Sequence, residues 1–153
     1  MNHIVILDNI RSVFNVGSIF RSSEGAGVKK IYLCGITPTP LDRFGAERED
    51  INKTALGTQK QLEWEYFEKT EDAIKKLKDT HKVVSVEQTK QAMSHKDFKC
   101  EEYTAFVFGS EVDGVSKNIL SESDAIIQIK MKGKKESLNV ASVAGIILFH
   151  FTD

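Results

Sequence analysis

The chain is poor in proline and cysteine, with two of each in 153 residues. Scarce proline, ten glycines and 41% hydrophobic residues exclude collagen-like and disordered classes. Cys34 and Cys100 lie far apart, and neither belongs to a Cys-x-x-Cys pair. No zinc ribbon or dithiol motif is present, and a reduced, cytoplasmic protein is expected. His3, His81, His95 and His150 have no metal-ligand spacing, so no metal is expected. Met93 and Met131 read as packing residues. An excess of one charge is also missing, since 21 Lys+Arg face 22 Asp+Glu for a formal net charge of −1. A polyanionic partner would therefore be met by a local patch rather than by the whole surface. The longest apolar stretch, Val143 to Phe151, is broken by His150 and is about half of the ~20 residues a membrane span needs. Met1 to Leu7 lacks the charged and apolar regions of a secretory signal. One soluble domain over residues 1–153 is expected, of a size that buries roughly two thirds of its unfolded surface.

The apolar pattern alternates between two periods. His3 to Leu7, Lys30 to Gly35, Leu62 to Phe67, Lys82 to Val86, Ala105 to Phe108 and Ala125 to Ile129 are short runs that read as strands. Val13 to Ala26, with Val13, Val16, Ile19 and Phe20 at helical spacing, reads as a helix. Glu71 to Lys78 reads as another, capped by Thr70, and Ser137 to Phe151 as a last helix with Ser137 at its N-cap. Leu41 to Thr58 reads as a loop with one short helix, and Ala92 to Cys100 as a linker. Strands alternating with helices predict an α/β domain built on a mostly parallel sheet.

Three clusters follow strands, where parallel α/β sheets place their ligands. Asn15-Val-Gly-Ser-Ile-Phe-Arg21 sets an amide, a glycine and a guanidinium within two helical turns. Phe108-Gly109-Ser-Glu111, leading to Gly114, runs a strand into a glycine turn headed by a carboxylate. Ile129-Lys-Met131 followed by Ser137-Leu138-Asn139 spans a run of four lysines, Lys130, Lys132, Lys134 and Lys135, enough cations to hold several phosphates. Taken alone, each cluster reads more readily as a surface helix, a plain strand exit or a solvated loop. The dinucleotide fingerprint Gly-x-Gly-x-x-Gly is absent, because Gly25-Ala-Gly27 leads into a strand, which removes support from a nucleotide-dependent Rossmann enzyme.

Taken in order, the three clusters resemble the signature motifs of the SpoU (TrmH-like) branch of the SPOUT RNA methyltransferases, over nearly the whole chain. Thr54-Ala-Leu-Gly57 before Trp64 is similar to a further family stretch. Lys130 is a departure, standing where the family commonly has proline. The resemblance implies a deep trefoil knot over about residues 82–153, an exception to the rule that chains do not thread their own loops. It implies S-adenosylmethionine held near Val86, Glu87, Phe108, Gly109, Ile129, Met131, Leu138 and Asn139. It also implies a homodimer through the N-terminal and C-terminal helices. The terminal helix supports this, because Val143, Ile146, Ile147, Leu148, Phe149 and Phe151 spread too widely for one buried stripe.

The implied reaction is methyl transfer to a ribose 2′-hydroxyl of tRNA or rRNA, with tRNA preferred. Arg21 is by position the family's catalytic arginine. An arginine stays protonated, so it is expected to clamp a phosphate and stabilise the developing alkoxide rather than take the proton. Asn15 is expected to orient Arg21 or the ribose, Glu111 to hold an arginine or the target nucleotide, and Ser137 and Asn139 to line the methyl and ribose pocket. Arg11, Arg21, Lys29, Arg43, Arg48, Lys132, Lys134 and Lys135 are the candidates for RNA contact. The alternative is a non-catalytic RNA-binding or assembly module that keeps the fold.

Overall fold

The computed structural model describes residues 1–152. The short apolar runs form strands β1 Ile4–Asp8, β2 Lys30–Cys34, β3 Glu63–Phe67, β4 Lys82–Val86, β5 Met93–Ser94, β6 Thr104–Gly109 and β7 Ala125–Gln128. Between and after them lie α1 Val13–Gly25, α2 Glu49–Ala55, α3 Thr58–Gln61, α4 Thr70–Leu77, α5 Lys117–Glu122 and α6 Val140–His150. The strands make one seven-stranded sheet in the order β3-β2-β1-β6-β4-β7-β5. Its pairings are all parallel, as the alternation of elements predicts.

Period-two alternation sorts the strand side chains between two cores. Val5, Leu7, Ile31, Leu33, Val84, Phe106 and Phe108 meet Val16, Ile19 and Phe20 of α1, Ile51 of α2 and Ile147 of α6. Ile4, Ile6, Tyr32, Cys34, Ala105 and Val107 meet Ala73 and Ile74 of α4 and Ile119 of α5 on the other face. Each large apolar side chain buried this way contributes roughly 1.5–3 kcal/mol. Ser12 starts α1 by accepting from the Asn15 N–H at 3.2 Å. No helix among the described residues is long and apolar enough to cross a membrane.

Register brings the strand ends into line. Asp8 of β1 is level with Cys34 of β2 and Gly109 of β6, and Cys34 is level with Phe67 of β3. Asp8 is buried and accepts from the Thr70 hydroxyl at 2.6 Å, the Asn9 side chain at 3.1 Å and the Ser116 N–H at 3.4 Å. Burial pushes the neighbouring Cys34 thiol up to about 12, with the Asp8 charge adding to the effect and a Thr70 hydrogen bond opposing it. Cys34 is fully buried in the core among Ile4, Tyr32 and Ala105, and a raised thiol pKa there disfavours the thiolate. Burial likewise lowers the pKa of His3, and the hydrogen bond from its Nε2–H to the Phe151 carbonyl at 3.1 Å works in the opposite direction.

Several expectations are corrected. Thr70 is the first residue of α4 rather than its cap, and no side chain caps that helix, because its hydroxyl is drawn to the buried Asp8 carboxylate. The last helix begins at Val140, capped by Asn139 instead of Ser137. Within the expected linker, Met93–Ser94 pairs with β7, and Met93 is 46% exposed rather than packed. Pairing in β7 ends at Gln128, one residue short of Ile129. The stretch 41–58 contains α2 and the start of α3, and α5 is a helix too short to show periodicity.

At Gly17 α1 lies tight against α2, since a Cβ there would collide with Thr54 Oγ1 and the Ile51 carbonyl. Thr54 also donates to the Phe14 carbonyl at 2.8 Å, which fixes the crossing. Gly17→Ala is expected to cost about 1–3 kcal/mol through overpacking. The measurement is a urea unfolding curve, and an unchanged midpoint would show that α2 yields freely.

Candidate active site

The site is built where β4, β6 and β7 end. Gly109 closes β6, and a Cβ on it would strike the backbone of Gly114 and Val115, so only glycine lets residues 110–115 fold back over the strand end. Ser110 Oγ accepts from the Val112 and Asp113 N–H groups at 3.2 and 3.0 Å, and the Ser110 carbonyl accepts from Gly114 at 2.9 Å. Glu87, at the end of β4, accepts from the Val115 N–H at 2.8 Å and from the Gln88 N–H at 2.9 Å. Its carboxylate holds the loop in place.

Beside this loop lies a cavity of about 500 Å³, within the range typical of small-molecule sites. Val86, Phe108, Ile129 and Val143 give it apolar walls, while Glu87, Ser110, Glu111, Ser137 and Asn139 supply polar groups. Of the residues expected around a cofactor, Val86, Glu87, Phe108, Gly109, Ile129, Leu138 and Asn139 all line it. Met131 does not, standing on the loop that leaves the cavity wall at Ile129 and returns to it at Ser137. Gln88 carries no motif in the sequence, yet it lines the cavity and donates to the Ile129 carbonyl at 3.4 Å. Its only signal is its place directly after a strand. Among the described residues no group of three His, Cys, Asp or Glu side chains is arranged to hold a metal ion.

Three distant motifs meet at the mouth. Glu111 accepts from the Arg11 N–H at 3.2 Å, the Ser12 N–H at 3.3 Å and the Asn15 side-chain amide at 3.0 Å. Asn15 Oδ1 in turn accepts from the Asn139 amide at 3.1 Å, and Asn139 Oδ1 caps α6 through Ala141 at 2.9 Å and Ser142 at 3.4 Å. Partial burial works against ionisation of Glu111. The hydrogen bonds from Asn15 and from backbone N–H groups outweigh it and hold the carboxyl below its ordinary value. A negative charge at the first turn of α1 also suits the helix dipole. Arg11 and Asp113 approach to 3.8 Å across an exposed gap, which contributes little.

The other expected residues stand elsewhere. Arg21 is exposed on α1, makes no ion pair or side-chain hydrogen bond among the described residues, and does not line the cavity. Lys132, Lys134 and Lys135 are exposed on the loop between β7 and α6, close in sequence to Ser137. Arg43 and Arg48 line a separate groove beyond β2 and β3.

A sequence profile described as the SpoU rRNA methylase family matches residues 2–149. A tRNA (guanosine(18)-2′-O)-methyltransferase of Thermus thermophilus is 30% identical over 148 residues, covering 95% of this chain and 71% of that protein. The enzyme of the same description from Aquifex aeolicus is 28% identical over 150 residues, covering 95% of this chain and 66% of that protein. The crystal structure of the SpoU methyltransferase AviRb from Streptomyces viridochromogenes, in complex with the cofactor AdoMet, superposes with a TM-score of 0.86 at 21% identity. That alignment covers 97% of this chain and 58% of AviRb, so the chain spans only part of the length of these relatives. The profile match across almost the whole chain, over a parallel sheet whose strand ends gather all three motifs, establishes that the chain belongs to the SpoU rRNA methylase family.

Proposed function

We propose that this chain transfers a methyl group from S-adenosylmethionine to a ribose 2′-hydroxyl of structured RNA, tRNA in preference to rRNA. The observation that carries the reading is the Glu111–Asn15–Asn139 chain of hydrogen bonds, which joins the three motifs at the mouth of the cavity. Glu111 and Asn139 also hold the starts of α1 and α6, but the Asn15–Asn139 bond serves neither cap and ties the first motif to the third beside the cavity. The cavity's volume and its mix of apolar walls with main-chain and side-chain polar groups fit a nucleoside-sized cofactor. Val86, Phe108, Gly109, Ile129, Leu138 and Asn139 would hold it. When bound, S-adenosylmethionine supplies a methyl carbon activated by a positively charged sulfur.

The protein's own task is to position a poor nucleophile. A ribose oxygen must be held about 3 Å from the carbon it attacks, which makes orientation a large share of the rate. In this reading Asn15 and Asn139 orient the ribose, supported by their mutual hydrogen bond, and Ser137 and Asn139 line the pocket. Arg21 clamps an RNA phosphate and stabilises the oxygen as negative charge grows on it, while the proton passes to a phosphate oxygen or to water.

Residues 82–153 form the knot in this reading, and residues 1–153 act as one methyltransferase unit. Insertion of β6 between β1 and β4, and the gathering of the segments after β4, β6 and β7 on one cavity, support that threading. The active form is a homodimer through α1 and α6, which covers the exposed Phe14, Ile146 and Phe149. Arg21 lies seven residues from Phe14, hence on the same face of α1, and dimerisation brings its guanidinium against the second copy. The cytoplasm is the matching compartment, in keeping with two free cysteines.

Purified protein given methyl-labelled S-adenosylmethionine with total tRNA or rRNA is expected to place label on a 2′-O-methyl nucleoside. Arg21→Ala abolishes it, and Arg21→Lys, which keeps the charge but loses the planar fork, lowers turnover about a hundredfold. Label on a base, or none despite measured cofactor binding, would overturn the reading. The lysines of the β7–α6 loop are expected to touch RNA phosphates. Replacing Lys132, Lys134 and Lys135 together by Ala reduces the slope of log affinity against log salt by about 0.9 for each phosphate no longer neutralised. An unchanged slope would remove them from the interface.

A further inference from the structure

A second concave surface lies on the same edge of the sheet as the cavity. The segment between β2 and α2 folds into a small hairpin, with Leu41 bridged to Glu47. At its tip Asp42 Oδ1 accepts from the Phe44 N–H at 2.8 Å and the Ala46 N–H at 3.0 Å, while the Asp42 N–H donates to the Ala46 carbonyl at 2.8 Å. Gly45 takes the left-handed conformation, with φ of 77°, that lets the tip close. This ordered turn holds Phe44 80% exposed, the most exposed large hydrophobic side chain among the described residues. The Arg43 guanidinium stands 4.8 Å from the Phe44 ring centre. Behind the tip Trp64 and Tyr66 of β3, with Arg48, complete a groove of about 840 Å³.

The charges nearby are unevenly committed. Asp42 is engaged by backbone N–H groups of its own turn, Glu47 pairs with Lys60 at 3.0 Å, and Asp50 pairs with Arg48 at 2.7 Å. Arg43 has no carboxylate partner among the described residues, so the groove presents one unopposed cation beside three aromatic rings. An aromatic ring paired with a guanidinium is the arrangement that stacks a nucleobase and holds its phosphate. The apolar lining of the groove, Leu41, Phe44, Trp64 and Tyr66, is small beside the patch of roughly 300–600 Å² that marks a protein interface, and three of its four side chains are aromatic.

Spacing gives the geometry. The cavity stands at the ends of β6, β4 and β7 and the groove at those of β2 and β3, so at about 4.8 Å per strand the two lie roughly 10–20 Å apart. That is about three to six stacked nucleotides at 3.4 Å each.

We infer that the hairpin Leu41–Glu47, with Trp64 and Tyr66, is a base-stacking subsite that takes an unpaired nucleobase of the substrate RNA a few nucleotides from the methylated ribose. The inference rests on the RNA reading above and adds the element that grips the strand. Phe44 is the stacking platform and Arg43 the phosphate contact.

Trp64 is the sole tryptophan of the chain, so its emission reports on this groove directly. Titration with an unstructured oligoadenylate, and separately with total tRNA, is expected to quench that emission. Phe44→Ala weakens tRNA binding about tenfold, as for loss of one stacked base, and raises the KM for tRNA with S-adenosylmethionine affinity unchanged. Phe44→Tyr restores both. Wild-type affinity and KM in Phe44→Ala, alongside normal RNA labelling by the parent protein, would overturn the subsite alone. Loss of self-association in Phe44→Ala with tRNA affinity intact would reassign the hairpin to contact between copies of this chain. Absence of any RNA binding by the parent protein would overturn the subsite together with the methyltransferase reading.

Discussion

The central strands of the sheet have no wet face, and most of what the molecule does follows from that confinement. β1, β6 and β4 are covered by α1, α2 and α6 on one side and by α4 and α5 on the other. Apart from Lys82 at the start of β4, side chains along them are apolar or, like Ser85, hydrogen-bonded and buried. Polar chemistry is thereby displaced to the strand ends, where backbone groups are no longer used by the ladder. The carboxyl edge collects Asp8, Glu87, Gly109 and the groove beyond Cys34 along one line. Sites at that edge are the rule for open parallel sheets, since loops there are free to vary over a fixed scaffold.

Elements are legible in the sequence in proportion to how local their causes are. β1, β2, β4 and β6 are short runs of β-branched and aromatic residues, and α1 begins at a serine that caps it, so each announces itself within a few residues. α5 and β5 are too short to show a period and exist because the surroundings hold them. Thr70 reads as a cap because its true hydrogen-bond partner, Asp8, is 62 residues away and out of sight of any local pattern. Ser137 has the residue type of a helix start, but Asn139 takes that role by serving α6 and Asn15 together.

The site is legible in a different way. Nothing in composition or spacing states that Asn15, Glu111 and Asn139 converge, and each cluster alone has an ordinary structural reading. Their order along the chain, matched to a family, is the only signal. Arg21 shows the limit of that signal, because a motif position says which residue is special but not which surface it serves. The Phe44 hairpin shows the converse. It belongs to none of the three motifs, and only the folded arrangement reveals an aromatic ring held out on a stiff turn beside a lone guanidinium.

The bond between Asn139 and Asn15 joins residues separated by 124 positions. It also depends on α6, since the same asparagine caps that helix. During synthesis, β1, β2, β3 and β4 emerge long before Asn139 does, and contacts of such sequence separation form late. A nascent chain can therefore complete much of its sheet while the mouth of the cavity is still open and Asn15 lacks one of its two partners. Whatever chemistry the cavity performs is withheld until α6 has been made and docked, which ties the opening of the site for use to the arrival of Asn139.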